Sequence, residues 1–231
     1  MAGSTVRAFL VRGLVCGLLA GLAAGAFAFA VGEPGVERAI EIEEQASVGA
    51  PAGEPLVSRD GQRAGLFLAT GLYGLGIGGL YVLAFAAVRG RTAARSDSSL
   101  ALWLAGALFV AVVLVPFLKY PANPPAVGDP ATIGERTQLY VTLIAISLLS
   151  LLAGWRIARR AGPLAGALVF VVTVAVVAAL LPGVNEVPRS FPADLLWDFR
   201  VASLGVQLML WSGIGVLFGI ACRRFPLPGA R

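Results

Sequence analysis

No histidine occurs among the 231 residues, and lysine occurs once, at Lys119. Without imidazole the chain has no Ser-His triad, no histidine metal ligand and no histidine proton shuttle. No GxxxxGK[ST] stretch is present, so the chain itself offers no P-loop for ATP. The two cysteines, Cys16 and Cys222, lie in the first and last apolar runs. That placement fits neither an extracytoplasmic disulfide framework nor a CxxC metal pair. Charge is scarce, at 13% of residues. These gaps leave little for an enzyme to work with, and a membrane enzyme is the weakest of the three readings open here.

What is abundant is apolar. Hydrophobic residues make up 58% of the chain, and the mean hydropathy is +0.83, far outside soluble globular usage. A helix needs about 20 apolar residues to cross a bilayer. Six runs meet or approach that length, with spans expected near residues 6–32, 64–88, 100–118, 137–155, 161–181 and 200–222. The expected architecture is an all-α integral membrane protein of one polytopic domain, with six transmembrane helices and a lipid bilayer as its first partner.

The net charge of +5 does not point to nucleic acid, because the charges are segregated. Arg7 and Arg12 precede the first run. Arg89, Arg91 and Arg95 follow the second, Arg156, Arg159 and Arg160 the fourth, and Arg223, Arg224 and Arg231 the sixth. Those eleven cations share their side with one acid, Asp97, while the other twelve acids and seven cations fall on the opposite side. The positive-inside rule then puts both termini and the short Arg-rich loops in the cytoplasm. The three acidic or Pro-rich loops face outward, as expected in a bacterial cytoplasmic membrane.

The first run has two readings. Its arginines, apolar stretch and Ala26-Phe27-Ala28 triplet fit a secretory leader, whose cleavage would leave five helices. Gly13, Gly17, Gly21 and Gly25, however, recur every four residues and form a small-residue stripe suited to close helix packing, which favours a retained span. The second run adds Gly71, Gly74, Gly76, Gly78 and Gly79, so the glycine-rich faces of the first two spans are expected as docking seams for a partner helix.

The stretch GEPGVERAIEIEEQ, from Gly32, brings five carboxylates just beyond the first span. Pro34 suits a first helical turn, and Glu33, Glu37, Glu41 and Glu44 would share one helix face, with Val36, Ala39 and Ile40 on another. Like charges at that spacing repel by about 0.2–0.5 kcal/mol per pair, which invites a compensating cation. These four are the metal-facing candidates. A solvated helix end or a face for a basic partner would use the same residues. The APAGEP tail that follows, with Glu54, is too broken for a helix.

In the second outer loop Pro116, Pro121, Pro124, Pro125 and Pro130 enforce an extended backbone that would hold Lys119, Asn123, Asp129 and Glu135 in fixed places. The third carries Glu186. It ends at Pro192 and Asp194, which suit the start of a helix continuing through Asp198 and placing Arg200, Ser203 and Gln207 on one stripe. Polar side chains entering a membrane face the bundle interior, so Arg200 and Gln207 join the candidate transport residues.

Taken together, GEPGVERAIEIEE after a glycine-rich span, LKYPANPPAVGDP with GERTQLY, and LPGVNEVPRSFPADLLWDFRVASL before the last span resemble the CbtA family of cobalt transporter subunits. The resemblance implies a permease component for cobalt(II) uptake in the bacterial inner membrane, with no permanently bound cofactor. It also implies a small single-span partner with a histidine-bearing tail, and leaves an oligomer open. Five spans are attributed to the family, one fewer than counted here. The residues alone support a hard divalent cation held by carboxylates, carbonyls and water. The alternative is a membrane scaffold or assembly subunit whose outer loops bind another protein.

Overall fold

The computed structural model describes residues 2–46, 58–92, 94, 96–125 and 127–225; the APAGEP tail with Glu54, and Arg95 and Arg231, lie outside them. The described chain is helical. In order it forms α1 (Ala2–Phe27), a π turn (Ala28–Gly32), α2 (Glu33–Ala46), α3 (Arg59–Val88) and α4 (Asp97–Phe109). A second π turn (Val110–Leu114), α5 (Val115–Lys119), a 3-10 turn (Pro130–Thr132), α6 (Ile133–Ala161), α7 (Pro163–Leu180) and α8 (Ala193–Arg224) complete it. Among the described residues, six helical stretches are long and apolar enough to cross a membrane: Arg7–Gln45, Gly61–Val88, Asp97–Lys119, Pro130–Ala161, Pro163–Leu180 and Ala193–Arg224.

There are thus six long apolar helices among the described residues, as the composition implies; several run beyond the charge-free stretches, whereas α7, Pro163–Leu180, is shorter than the 161–181 expected. Charge-free runs mark only the part of a helix suited to hydrocarbon. Helix α6 continues past Arg156, Arg159 and Arg160 because arginine has good helix propensity and its cation suits a helix C-terminus. The first span does not stop at Gly32 either. It passes through the π turn into α2 as one helical run.

Both π turns end two residues before a proline, at Pro34 and Pro116. A proline inside a helix lacks the N–H that would bond four residues back, and its ring crowds that carbonyl. The carbonyls concerned belong to Ala30 and Val112, each inside a widened turn. There the bonds run five residues back, from Glu33 N–H to the Ala28 carbonyl and from Val115 N–H to that of Val110. Widening the turn lets a helix carry an internal proline without leaving backbone groups bare, which hydrocarbon would punish.

The chain forms two compact units. One comprises Met1–Pro34, Ser47–Gly106 and Gly205–Arg231. Within it α1 and α3 meet along their glycines. A Cβ on Gly17 would reach the Gly74 carbonyl oxygen and lie 2.8 Å from the Gly78 Cα, and one on Gly13 would lie 2.6 Å from the Gly78 carbonyl oxygen. The stripes expected to receive a partner helix are thus occupied by each other, because two small-residue faces on consecutive antiparallel spans satisfy one another first. Tyr81, Phe85, Phe218 and Phe9 form the aromatic core beside this seam, with Phe85 and Phe218 centroids 4.9 Å apart. Tyr81 donates its buried hydroxyl to the Ala101 carbonyl at 2.6 Å. At the Arg-rich end Arg89 grips Asp97 through two nitrogens, at 2.9 and 2.7 Å, which accounts for the one acid on that side.

The second unit comprises Gly35–Ala46 and Ala107–Leu204. Here α6 and α7 cross where Gly154 and Gly166 touch; a Cβ on Gly154 would lie 2.7 Å from the Gly166 carbonyl oxygen. At one end a small apolar core of Ala39, Val127, Phe191 and Leu195, backed by Ile42, Val187 and Leu196, joins α2 to the segments before α6 and α8.

Candidate functional site

The candidate residues gather in three arrangements. The first is α2. Its apolar side is set by Ala39, fully buried, while Glu41 and Glu44 are exposed and Glu37 is half-buried. The amphipathic split read from sequence therefore holds for Ala39, which anchors the helix and leaves the carboxylates on the other side. Glu33 accepts from Arg59 Nη2 at 2.9 Å and Arg63 Nε at 3.2 Å, so its charge is compensated by α3. Among the described residues, no three His, Cys, Asp or Glu side chains stand together in a way that would hold a metal ion.

The second arrangement ties two connecting segments together around Glu186. The Pro-rich run from Pro121 makes few regular bonds of its own, and Gly128, with φ +119°, turns it sharply. The backbone there favours glycine, and a Cβ would also lie 2.5 Å from Arg136 Nη1, so any side chain would push aside the guanidinium that crosses it. Asp129 caps the 3-10 turn by accepting from the Ala131 N–H at 2.8 Å, an Asp-Pro start that suits such a turn. Arg136 Nη2 donates to the Asp129 carbonyl at 3.0 Å.

Glu186 enters this frame from the segment before α8. Its Oε1 accepts from the Thr132 hydroxyl at 2.6 Å, its Oε2 from the Asp129 N–H at 2.9 Å, and Arg136 Nε stands 3.4 Å from Oε2. The Thr132 hydrogen bond and then the Asp129 amide hold the Glu186 carboxyl below its ordinary range, against the opposing effect of lost solvation and with a further contribution from the Arg136 charge.

The third arrangement centres on Arg200, whose Nε donates to the Ala122 carbonyl at 3.2 Å and Nη2 to Asn123 Oδ1 at 2.9 Å. Arg200 thus holds the Pro-rich segment, and Asn123 is its acceptor. Lys119 ends α5 with its ammonium 5.9 Å from the Tyr120 ring centroid, and Tyr120 donates to the Pro182 carbonyl at 2.8 Å. Glu135, Asp194 and Asp198 are exposed in the opening turns of α6 and α8. Gln207 lies farther along α8, its Oε1 buried without a partner among the described residues.

The structure thus brings Asp129 and Glu186 together, and Asn123 with Arg200; among the described residues, no hydrogen bond or ion pair joins Lys119, Glu135, Asp194 or Asp198 to either group. The sequence reading missed Thr132, Arg136, Arg59 and Arg63 as partners of the acids. The Asp-Pro-Ala-Thr cap with arginine seven residues after Asp129 was the available signal for the Glu186 frame. Nothing in the spacing pointed to Glu33, because its partners lie across a connection of more than twenty residues.

A family model described as "Probable cobalt transporter subunit (CbtA)" matches residues 6–223, nearly the whole chain, and the protein belongs to that family. The family is one of transporters, not of enzymes. No curated protein and no solved structure matches the chain.

Proposed function

We propose that this CbtA-family chain is the membrane-embedded subunit that conducts a divalent metal, cobalt(II), into the cell, with its acidic outer segments collecting the ion. The observation that carries the reading is the family match across residues 6–223, which covers every span and every connecting segment named above. The acids of α2 act through their field rather than as a chelate. A helix face bearing Glu37, Glu41 and Glu44 raises the local concentration of divalent cations, and Glu33 at its base is already matched by Arg59 and Arg63. The Glu186 and Arg200 frames hold the outer segments at the mouth, where Lys119, Asn123, Asp129, Glu135, Asp194 and Asp198 set the balance of charge around the entering ion.

Oxygen donors alone bind a first-row metal weakly and select poorly, because selectivity comes from ligand type and geometry. With no imidazole in the chain, a single-span histidine-bearing subunit supplies the nitrogen donors, captures the metal and passes it to this bundle. Both termini are cytoplasmic and the acidic segments are outside, in a bacterial cytoplasmic membrane. Radiolabelled cobalt uptake tests the proposal: cells expressing the chain with its partner should accumulate cobalt well above cells with either alone. Uptake equal to that of cells lacking the chain overturns it.

A scaffold or assembly role is the second reading. It is favoured by the engagement of Glu33 and Glu186 with arginines of the same chain, the usual state of acids that brace loops. Stable co-purification with a fixed partner and no metal flux would support that reading instead.

A further inference from the structure

The two π turns differ in what surrounds them. Both answer a proline, but no residue of Ala28–Gly32 is buried, whereas Val110–Leu114 buries Ala111 and Val113, with Pro116 buried just beyond. A π turn widens the backbone, so its carbonyls no longer point straight along the helix axis. A carbonyl that accepts one hydrogen bond keeps a second lone pair. Irregular backbone of this kind survives in hydrocarbon where protein covers it.

Helix α6 covers the second turn, packing against it and against α5. On α6, Leu143, Ser147, Ser150 and Gly154 recur at helical spacing and are all buried, Ser147 completely. Leu151 and Gly154 meet Val110 and Ala107 along one groove. Because α6 and the span before it run in opposite directions, one turn further out on each brings Ser147 level with Leu114, inside the π turn.

The Ser147 hydroxyl is chemically unlike its neighbour. Ser150 donates to the Ile146 carbonyl at 2.8 Å, the usual way a serine is satisfied within a helix. Ser147 makes no such bond, and its Oγ is buried without a partner among the described residues. It stands twelve residues after Glu135 and nine before Arg156, about 18 and 14 Å along the helix, so it lies near the middle of the span. A polar atom at that depth normally finds a partner, and the exceptions mark function.

We propose that the Ser147 hydroxyl and the carbonyls of the Val110–Leu114 turn bind an alkali cation, the coupling ion whose gradient drives metal uptake. The donors decide the ligand. Each is a neutral oxygen, the set that replaces the water shell of an alkali ion in channels and coordinates coupling ions at irregular membrane helices. The cost of bringing an ion out of water rises with the square of its charge, so a divalent ion needs about four times the compensation. Neither the π turn nor α6 from Thr137 to Trp155 contains a carboxylate to supply it. The same stretches hold no group that titrates near neutral pH, which removes a proton as the occupant. The site stands apart from the transport reading; its coupling role rests on that reading.

The test is binding of radiolabelled sodium, and of rubidium as the stand-in for potassium, to the full chain in liposomes in choline buffer without cobalt. The parent should bind one of the two ions saturably, and competition between them identifies which fits. Ser147→Ala removes only an oxygen and should weaken binding at least tenfold, whereas Ser150→Ala, at a hydroxyl already satisfied by its own helix, should leave it unchanged. Pro116→Ala restores an N–H, lets the turn tighten, and should weaken binding as well; circular dichroism checks that each variant keeps its helices. No saturable binding of either ion, undiminished binding by Ser147→Ala, or displacement of the bound ion by stoichiometric cobalt overturns the site. Cobalt uptake by cells that persists when choline replaces both ions outside, with binding intact, overturns the coupling role. Alkali-ion binding lost in Ser147→Ala, with no cobalt uptake by the parent in any medium, upholds the site and counts against the transport reading alone.

Discussion

The seam between α1 and α3 gives the sharpest quantitative test, because its contacts are backbone to backbone. A methyl group on Gly17 would meet the Gly74 carbonyl oxygen and approach the Gly78 Cα at 2.8 Å and its nitrogen at 3.0 Å. Ordinary carbon contacts sit near 3.5–4.0 Å, so the helices would have to part by most of an ångström. No flexible side chain is present at that contact to absorb the change. Gly76, on the exposed side of α3, has nothing within 4 Å of the place a methyl would take, and alanine there costs nothing in packing. Both substitutions gain the same helix propensity, about 0.5–1 kcal/mol. Their difference therefore isolates the overpacking cost, about 1–3 kcal/mol, with the rigid opposing backbone placing it at the upper end. For a chain of this size that corresponds to a melting difference on the order of 5–10 °C. Thermal unfolding of Gly17→Ala and Gly76→Ala in the same detergent measures it. The Gly17→Ala, Gly78→Ala double variant should lose less than the two singles together, since Gly17 and Gly78 share one contact and the helices part only once. Coincident melting of Gly17→Ala and Gly76→Ala would refute the tight seam.

Topology is checked by single cysteines at Ser58, Ser190 and Ser96 in a chain lacking Cys16 and Cys222: the first two should react with an impermeant thiol reagent on intact cells and the third should not, and the opposite pattern would invert the orientation. Replacing Glu33, Glu37, Glu41 and Glu44 together by Gln should lower cobalt accumulation at equal membrane abundance; unchanged uptake would leave the face a solvated helix surface. The Glu186 carboxyl is held below its ordinary range, so its tie to Thr132 and Asp129 is fully present above the unfolded-state pKa and is lost as pH falls through the lower folded-state value. The Asp129 amide resonance should titrate over that acidic window in the parent and stay flat in Glu186→Gln, whereas an insensitive parent resonance would remove the hydrogen bond from the account. Gly128→Ala should loosen the same frame through both its left-handed backbone and its contact with Arg136, read as faster proteolysis between Pro121 and Thr132.

The spans were legible because hydrocarbon imposes a length and excludes charge, and both constraints are written in composition. The glycine stripes were legible as packing surfaces, but not their partner: a small-residue face says that another helix can come close, not which one. Proline misled at Pro34 and Pro116 for a related reason. Read locally, a proline starts or ends a helix. Within a membrane helix the cost of an unbonded carbonyl is high enough that a π turn forms instead, and the sequence carries no separate mark of it. The loop frame was half legible. Asp129 and Glu186 stood out as acids, yet Thr132 and Arg136 acquire meaning only after Gly128 folds the chain back across them.

The disposition of the acids also bears on how a cation would be handled. Asp97 is gripped by Arg89, Glu33 by Arg59 and Arg63, and Glu186 by Thr132, Asp129 and Arg136. Each pairing lowers the charge that carboxylate presents to an incoming ion. Glu41 and Glu44 stay exposed on α2, on a helix surface where water competes for every ligand position. Such a surface attracts a hydrated divalent ion but does not strip its shell, since stripping needs several donors fixed around one point. On the proposed reading, collection and selection are therefore separate acts, the first performed by α2 and the second by nitrogen donors from another chain. The two separate experimentally. Salt should weaken collection by screening the α2 field, reducing uptake of cobalt and magnesium alike. Loss of the partner's imidazoles should change the ratio between those metals while leaving the salt dependence intact. A salt response confined to cobalt would mean that α2 itself selects, and the division would fail.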